Sequence, residues 1–320
     1  MSFIKRLCTA LLLPALFPVV SMAAEEHLTP TATCVYAERD ATSLLLDIYA
    51  PSTGSVTMVD GRQKPTVLFV FGGAFKEGQR DTQYYKHWFH MLTDAGYPVV
   101  SIDYRLGMKD YQGKTASMAF VRSLRAAIDM AVDDLYSATE WLLEHGADYG
   151  IDARNMVVSG SSAGAITVMQ AEYELANRTE RSTVLPSDFN YAGVLSFAGA
   201  IYTYHCGPKY SGEPCPTALF HGTDDHIVPY GKISIGRLFF GGAKPLAKTF
   251  KKHDFNYNAY RYTGPGHEIA TNMVLSFPEE VRFLETNVMR GQKRIVDTFV
   301  DDPDIAIPDW GNGNYKGLYN

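Results

Sequence analysis

Val157-Val158-Ser159-Gly160-Ser161-Ser162-Ala163-Gly164 joins two kinds of pattern. Two branched apolar residues run into Gly-x-Ser-x-Gly, and Ala165-Ile166-Thr167-Val168-Met169-Gln170-Ala171 follows as a helix-competent segment. Strand, sharp turn and helix in that order give the pentapeptide a physical meaning. A serine at the tip of so tight a turn takes a strained backbone conformation that lifts its hydroxyl clear of the sheet. Gly160 and Gly164 are required because a side chain there would strike the neighbouring strand or helix. Ser162, not Ser161, holds the middle position. The bland alternative is a small-residue turn joining a strand to a helix, since bare Gly-x-Ser-x-Gly arises often by chance. The rest of the chain decides between them.

On the N-terminal side, residues 44–49 and 98–105 read as strands, and Thr29 to Asp40 as an irregular or edge segment. Thr66-Val67-Leu68-Phe69-Val70-Phe71 is apolar without alternation, the mark of a central parallel strand covered on both faces. Residues 81–95 and 119–145 carry helical spacing, each ending at a glycine. On the C-terminal side, residues 192–197, 216–222 and 257–263 read as strands and 269–288 as the last helix. Strand and helix alternate along the chain, which predicts an α/β fold with a mostly parallel central sheet and helices on both faces.

The chain has 320 residues and a formal charge of −6. Lys5-Arg6, the apolar run 7–20 and the small residues Ser21-Met22-Ala23-Ala24 predict a secretory signal over residues 1–24. A retained membrane anchor is the rival reading, but the run is short and interrupted by Pro14 and Pro18, so no stable membrane insertion is expected after cleavage. Loss of Lys5 and Arg6 takes the charge to −8, which argues against a nucleic-acid or anionic-membrane partner. Residues 25–292 fit one catalytic domain, and residues 293–320 a tail packed on it or extending from it. The destination is secreted or periplasmic, a compartment that permits disulfides. Cys206 and Cys215 flank a loop with little apolar content, and a bridge between them is expected to pin it at the rim of the site. Cys34 is left without a partner. No pair of Cys-x-x-Cys units points to a structural zinc, and His87 and His90, one helical turn apart, lack further ligands nearby, so no metal is expected.

Ligands in such sheets gather beyond the C-terminal strand ends. After Phe71 comes Gly72-Gly73-Ala74, after Ser159 comes Ser162, after Phe220 comes His221-Gly222-Thr223-Asp224-Asp225-His226-Ile227-Val228-Pro229, and after Thr263 comes Gly264-Pro265-Gly266-His267. A nucleophile, an acid and a histidine therefore appear in the order Ser, Asp, His.

In these motifs the sequence resembles the α/β-hydrolase superfamily, in its esterase/lipase branch of secreted serine carboxylesterases, over residues 44–288. The resemblance implies Asp225, fifth in His-Gly-x-x-Asp-x-x-Val-Pro, as the triad acid and His267 as the base. It implies an oxyanion hole from the backbone of Gly73, Ala74 and Ala163, and no cofactor. The family's loop often reads His-Gly-Gly-x-Phe, whereas here Phe71 replaces the histidine, which leaves open how that loop is anchored.

The chemistry of these residue types agrees. A serine hydroxyl needs an imidazole to accept its proton, and a carboxylate fixes the imidazole's tautomer and stabilises its cation. Asp224 is the rival acid, His221, His226 and His205 are rival histidines, and Tyr84, Tyr85, Trp88 and Phe89 line an acyl pocket or belong to the core. The expected activity is hydrolysis of a short-chain or carbohydrate-linked (acetyl or feruloyl type) ester through an acyl-enzyme. A lipase or polyester hydrolase, a peptidase, and a non-catalytic binding protein of the same fold are the alternatives.

Overall fold

The computed structural model describes residues 28–303 and 305, apart from 40, 53–57, 60–61 and 115–116. The predicted signal segment lies outside the described residues. The strands β1 (Ala32–Arg39) and β2 (Thr42–Tyr49) are followed by a minimal hairpin of β3 (Met58–Val59) and β4 (Arg62–Gln63). Next come β5 (Thr66–Val70), α1 (Gln83–Asp94), β6 (Val99–Ile102), α2 (Met118–His145), β7 (Met156–Ser161) and α3 (Ala163–Ala176). The second half holds β8 (Gly193–Phe197), β9 (Ile201–Thr203), β10 (Thr217–Gly222), β11 (Lys232–Ile235), β12 (Leu238–Gly241) and α4 (Ala243–His253). It closes with β13 (Tyr257–Tyr262), α5 (Phe277–Phe283) and β14 (Val296–Val300).

Nine strands form one sheet in the order β1-β2-β6-β5-β7-β8-β10-β13-β14. From β6 to β14 every neighbour is parallel, and only β1 and β2 add antiparallel pairs. The central strands β5, β7, β8 and β10 are buried along their whole length, as the apolar run of β5 predicts for that strand. From β5 the chain crosses one way to β6, and from β7 the other way to β8. Right-handed connections then put α1 and α3 on opposite faces. Every residue of α3 is buried, because this helix lies between the sheet and α2.

Helix α1 packs Trp88 against Phe69 and Phe197, with ring centroids 5.5 and 5.8 Å apart. Its indole N–H donates to Glu280 Oε2 at 2.8 Å, and Ser276 Oγ donates to Glu280 Oε1 at 2.8 Å, which ties α5 to α1. Burial pushes the Glu280 carboxyl up to about 8, against the lowering effect of those two hydrogen bonds. A folded-state value above the unfolded one means stability is full at acid pH and falls as pH rises from the unfolded value towards 8. The slope is about 1.4 kcal/mol per pH unit in that window. Glu280→Gln keeps a side chain that hydrogen-bonds both partners but cannot ionise. Urea midpoints measured from pH 5 to pH 8 should therefore rise in the variant relative to the parent, most at pH 8. Parallel pH dependences would contradict this role.

The sheet runs past residue 292. Val296-Asp297-Thr298-Phe299-Val300 pairs in parallel with β13, so part of the expected tail is the edge strand. The expected last helix over 269–288 is instead a series of short turns, α5 and a wider turn over residues 284–289. A separate three-stranded sheet, β11-β12-β9, stands beside the main one.

The expected Cys206–Cys215 bridge is not formed, and both thiols are free. Cys206 sits beside the β11–β12 turn, its N–H donating to Arg237 O at 3.0 Å. Cys215 precedes the first residue of β10, at the sheet end away from the catalytic strand ends. Its N–H donates to Glu172 Oε1 at 2.8 Å. The loop needs no bridge because Tyr210 packs against Tyr173, Phe250 and Phe255, and Ser211 is held by Asn177 Oδ1. Cys206 is exposed, whereas burial pushes the Cys215 thiol well up. Iodoacetamide should therefore label Cys206 faster than the half-buried Cys215. A mass two hydrogens lower under non-reducing conditions, with neither thiol labelled, would contradict the correction.

Candidate active site

Ser162 follows β7 with φ +50°, a left-handed conformation that a non-glycine residue adopts only under local constraint. The constraint is visible in the glycines around it. A Cβ on Gly164 would lie 1.9 Å from Val70 O, and one on Gly160 would lie 2.4 Å from the Gly164 carbonyl. The turn can be this sharp only with hydrogen at both positions. Ser162 N–H donates to Phe197 O at 2.9 Å, which fixes the elbow against β8.

Asp225 lies on the loop after β10 and His267 on the loop after β13. The two loops are joined by hydrogen bonds: Asp224 N–H donates to the Pro265 backbone carbonyl at 3.1 Å, and Gly264 N–H to the Thr223 side-chain Oγ1 at 3.2 Å. Gly222 permits this approach, since a Cβ there would lie 2.2 Å from Gly266 O. Gly266 N–H donates to Glu268 Oε1 at 2.7 Å and braces the histidine's own turn.

The result is a continuous relay. His267 Nε2 lies 2.8 Å from Ser162 Oγ, and His267 Nδ1 lies 2.8 Å from Asp225 Oδ2. All three side chains are buried. The second carboxylate oxygen, Asp225 Oδ1, accepts the N–H groups of Ile227 (2.9 Å) and Val228 (3.0 Å). Burial alone would raise the Asp225 carboxyl, but hydrogen bonds and charge from His221 and His267 hold it well below the usual carboxylate range. Asp225 is therefore ionised at neutral pH. Asp224, the rival acid, is exposed and enters the site only through its backbone.

His221 has a part that its sequence position did not disclose. It is buried, and its Nε2 lies 3.0 Å from Val228 O and 3.3 Å from Asp225 Oδ2, so it closes the acid loop from inside. The signal was present, because an imidazole at a buried strand end must find a partner. His205 and His226 are exposed. His87 is also exposed, and His90 pairs with Asp94 at 3.0 Å. Tyr85, Trp88 and Phe89 belong to the core around Phe69 and do not reach the site's cavity.

The loop after β5 is anchored without the histidine of the usual motif. Phe71 packs on Tyr104 at a tilt, with ring centroids 4.5 Å apart, and Tyr104 Oη donates to Phe71 O at 3.0 Å. Gly72 N–H donates to Tyr85 Oη at 3.1 Å. Gly73 shapes the turn, its carbonyl accepting from Lys76 and Glu77. Ala74 and Phe75 follow in left-handed conformations (φ +55° and +60°), and Met108 N–H holds Phe75 O at 2.9 Å. Ala74 and Ala163 line the same cavity as Ser162, whereas Gly73 does not. This cavity has a volume of about 690 Å³.

A serine, aspartate and histidine in that chain order, each after a strand of the parallel sheet, with an anchored backbone turn across from the serine, mark the fold. The chain has the α/β-hydrolase fold, and its motifs point to the esterase/lipase branch of that superfamily. Comparison with known proteins agrees. The family model described as BD-FAE matches residues 46–201 of this α/β-hydrolase. Among curated proteins it is similar to Esterase LipI of Mycobacterium tuberculosis, 32% identical over 34% of this chain and 28% of that protein. It is also similar to ethyl acetate hydrolase of Pseudomonas putida, 28% identical over 44% of this chain and 38% of that protein. The similarity thus spans between a quarter and two-fifths of those relatives' lengths. Among solved structures, the thermophilic esterase Est2 of Thermogutta terrifontis superposes with a TM-score of 0.57 at 18% identity. The match covers 82% of this α/β-hydrolase and 95% of Est2. At that identity the likeness is one of fold.

Proposed function

We propose that this α/β-hydrolase cleaves carboxylic esters through an acyl-enzyme on Ser162. The observation that carries the reading is the buried Ser162–His267–Asp225 relay opening into one cavity. As Ser162 Oγ attacks the ester carbonyl carbon, its proton passes to His267 Nε2. Asp225 accepts from Nδ1–H, keeps the ring in the useful tautomer and stabilises the imidazolium. The carbonyl oxygen, now negative, receives the backbone N–H groups of Ala74 and Ala163. One such donor is worth roughly 3 kcal/mol in serine hydrolases. Collapse of the tetrahedral species expels the alcohol, which takes its proton from His267. Water then attacks the acyl-serine by the same steps in reverse and releases the acid.

The acyl group in this reading is short to medium in length, and the Pseudomonas putida relative's name, ethyl acetate hydrolase, supports a small ester. The leader-like residues 1–24 support a location outside the cytoplasm in this reading, which N-terminal sequencing of the exported protein tests. For the activity itself, purified protein is assayed on p-nitrophenyl esters from acetate to octanoate, on methyl ferulate and on acetylated xylan. Turnover of at least one ester, abolished by a serine-directed phosphonate, is expected. Hydrolysis of none contradicts the proposal.

A further inference from the structure

We infer that the substrate carries an alkyl or aryl chain, seated between the β11–β12–β9 sheet and the first turns of α2, and that Ile233 and Ile235 select it. This rests on the hydrolase reading above and deepens it. The register of the small sheet carries the inference. Ile233 pairs with Phe240, and Phe240 pairs with Tyr202, so three large side chains stand in one row across the strands. Ile235 pairs with Leu238 in the next row on the same face. Side chains directly opposite in antiparallel strands share a face, and period-two alternation keeps Lys232 and Ser234 off it. All five of the cavity-side residues line the space that contains Ser162.

The facing wall is helical. Met118, Val121 and Leu124, three residues apart in α2, lie on one stripe and line the same cavity. Ser117, which caps α2 through the Phe120 N–H, is among the few polar residues there. A glycan site needs several hydrogen-bonding side chains converging on its hydroxyls. This one presents two opposed apolar walls.

Ile233 is 51% exposed and Ile235 is 53% exposed, although both line the cavity. Met118, at 52%, faces them from α2. Three large apolar side chains left half in water around the entrance to a buried nucleophile are surface that an apolar chain would cover. Each methylene of substrate taken from water into such a cleft is worth about fourfold in kcat/KM.

The test is kcat/KM on two series, p-nitrophenyl esters from acetate to octanoate and acetates of ethanol to octanol. Both are run for the parent, for the Ile233→Ser, Ile235→Ser double variant, and for Lys232→Ser on the other face of the same strand. In the parent, kcat/KM should rise at least tenfold along one series, and acetylated xylan should be a poorer substrate than that series' best ester. The double variant should lose at least tenfold in the ratio of longest to shortest ester, and Lys232→Ser should keep the parent ratio. Circular dichroism confirms that each variant folds, and Ile235→Ala alone, with a smaller loss in the same ratio, serves if the double variant does not. Flat series in the parent, preference for acetylated xylan, or equal loss of the ratio in Lys232→Ser overturns the assignment while leaving the hydrolase reading intact. No turnover of any ester overturns both.

Discussion

Ser162→Ala should lower ester turnover by on the order of 10⁶ in kcat, the scale on which removal of the nucleophile acts in serine hydrolases. No neighbour can replace it. His267 Nε2 is directed to Ser162 Oγ at 2.8 Å, and Ser161 Oγ, one residue away, is engaged elsewhere. Ser161 donates to Ala270 O at 2.6 Å and ties the end of β7 to the turn that carries His267. Ser161→Ala should therefore fold less stably by about 1–3 kcal/mol, the cost of an orphaned buried carbonyl, and keep most of its turnover. Initial rates and thermal midpoints of the two variants check the pair. If Ser161→Ala is the inactive one and Ser162→Ala the active one, the relay is misassigned.

Asp225→Asn should cost on the order of 10⁴ in turnover with little change in structure. The asparagine amide presents a donor where His267 Nδ1 needs an acceptor. The ring then adopts the other tautomer and turns a protonated Nε2 towards Ser162. Asp225 also terminates the acid loop by accepting from Ile227 and Val228 and by contacting His221, so a stability change accompanies the rate change. Its carboxyl is held below its unfolded value, so the stabilisation is present above about pH 4 and is lost as pH falls through the folded-state value. The difference in unfolding midpoint between Asp225→Asn and the parent should accordingly shrink on acidification. Asp224→Asn is the control, because the Asp224 side chain is exposed and its contact to Pro265 uses the backbone N–H. A 10⁴-fold loss in Asp224→Asn with a mild effect in Asp225→Asn would shift the acid by one residue.

The elbow was legible because sterics leave so little choice there. Only hydrogen fits at Gly160 and Gly164, and only a strand followed by a helix makes that fit necessary. The relay was legible because every member directly follows a parallel strand, and strand ends on one side of such a sheet converge. Elements shorter or less buried left weaker marks. All four residues of β11 are exposed, so no burial pattern separated Lys232-Ile233-Ser234-Ile235 from a loop, and the wall over the site was missed. Strand β14 carries alternation in Val296-Asp297-Thr298-Phe299-Val300, but its pairing with β13 is a long-range contact that no local pattern reveals. The bridge between Cys206 and Cys215 was expected because the intervening loop was counted as apolar-poor. One residue, Tyr210, supplies the packing that the count overlooked. The anchoring of the turn at Gly72 was likewise unreadable, since Tyr104 and Tyr85 reach it from distant segments.

The central claim is that Ser162 is a nucleophile activated by His267 in a site open to substrate. A fluorophosphonate reacts with a serine only when its hydroxyl is activated and reachable. The folded protein is treated with the probe, digested, and the modified peptide is sequenced by mass spectrometry. The account requires one adduct, on Ser162, absent from heat-unfolded protein and strongly slowed in His267→Ala. No adduct on folded protein, or an adduct on any other serine that persists in Ser162→Ala, would contradict it.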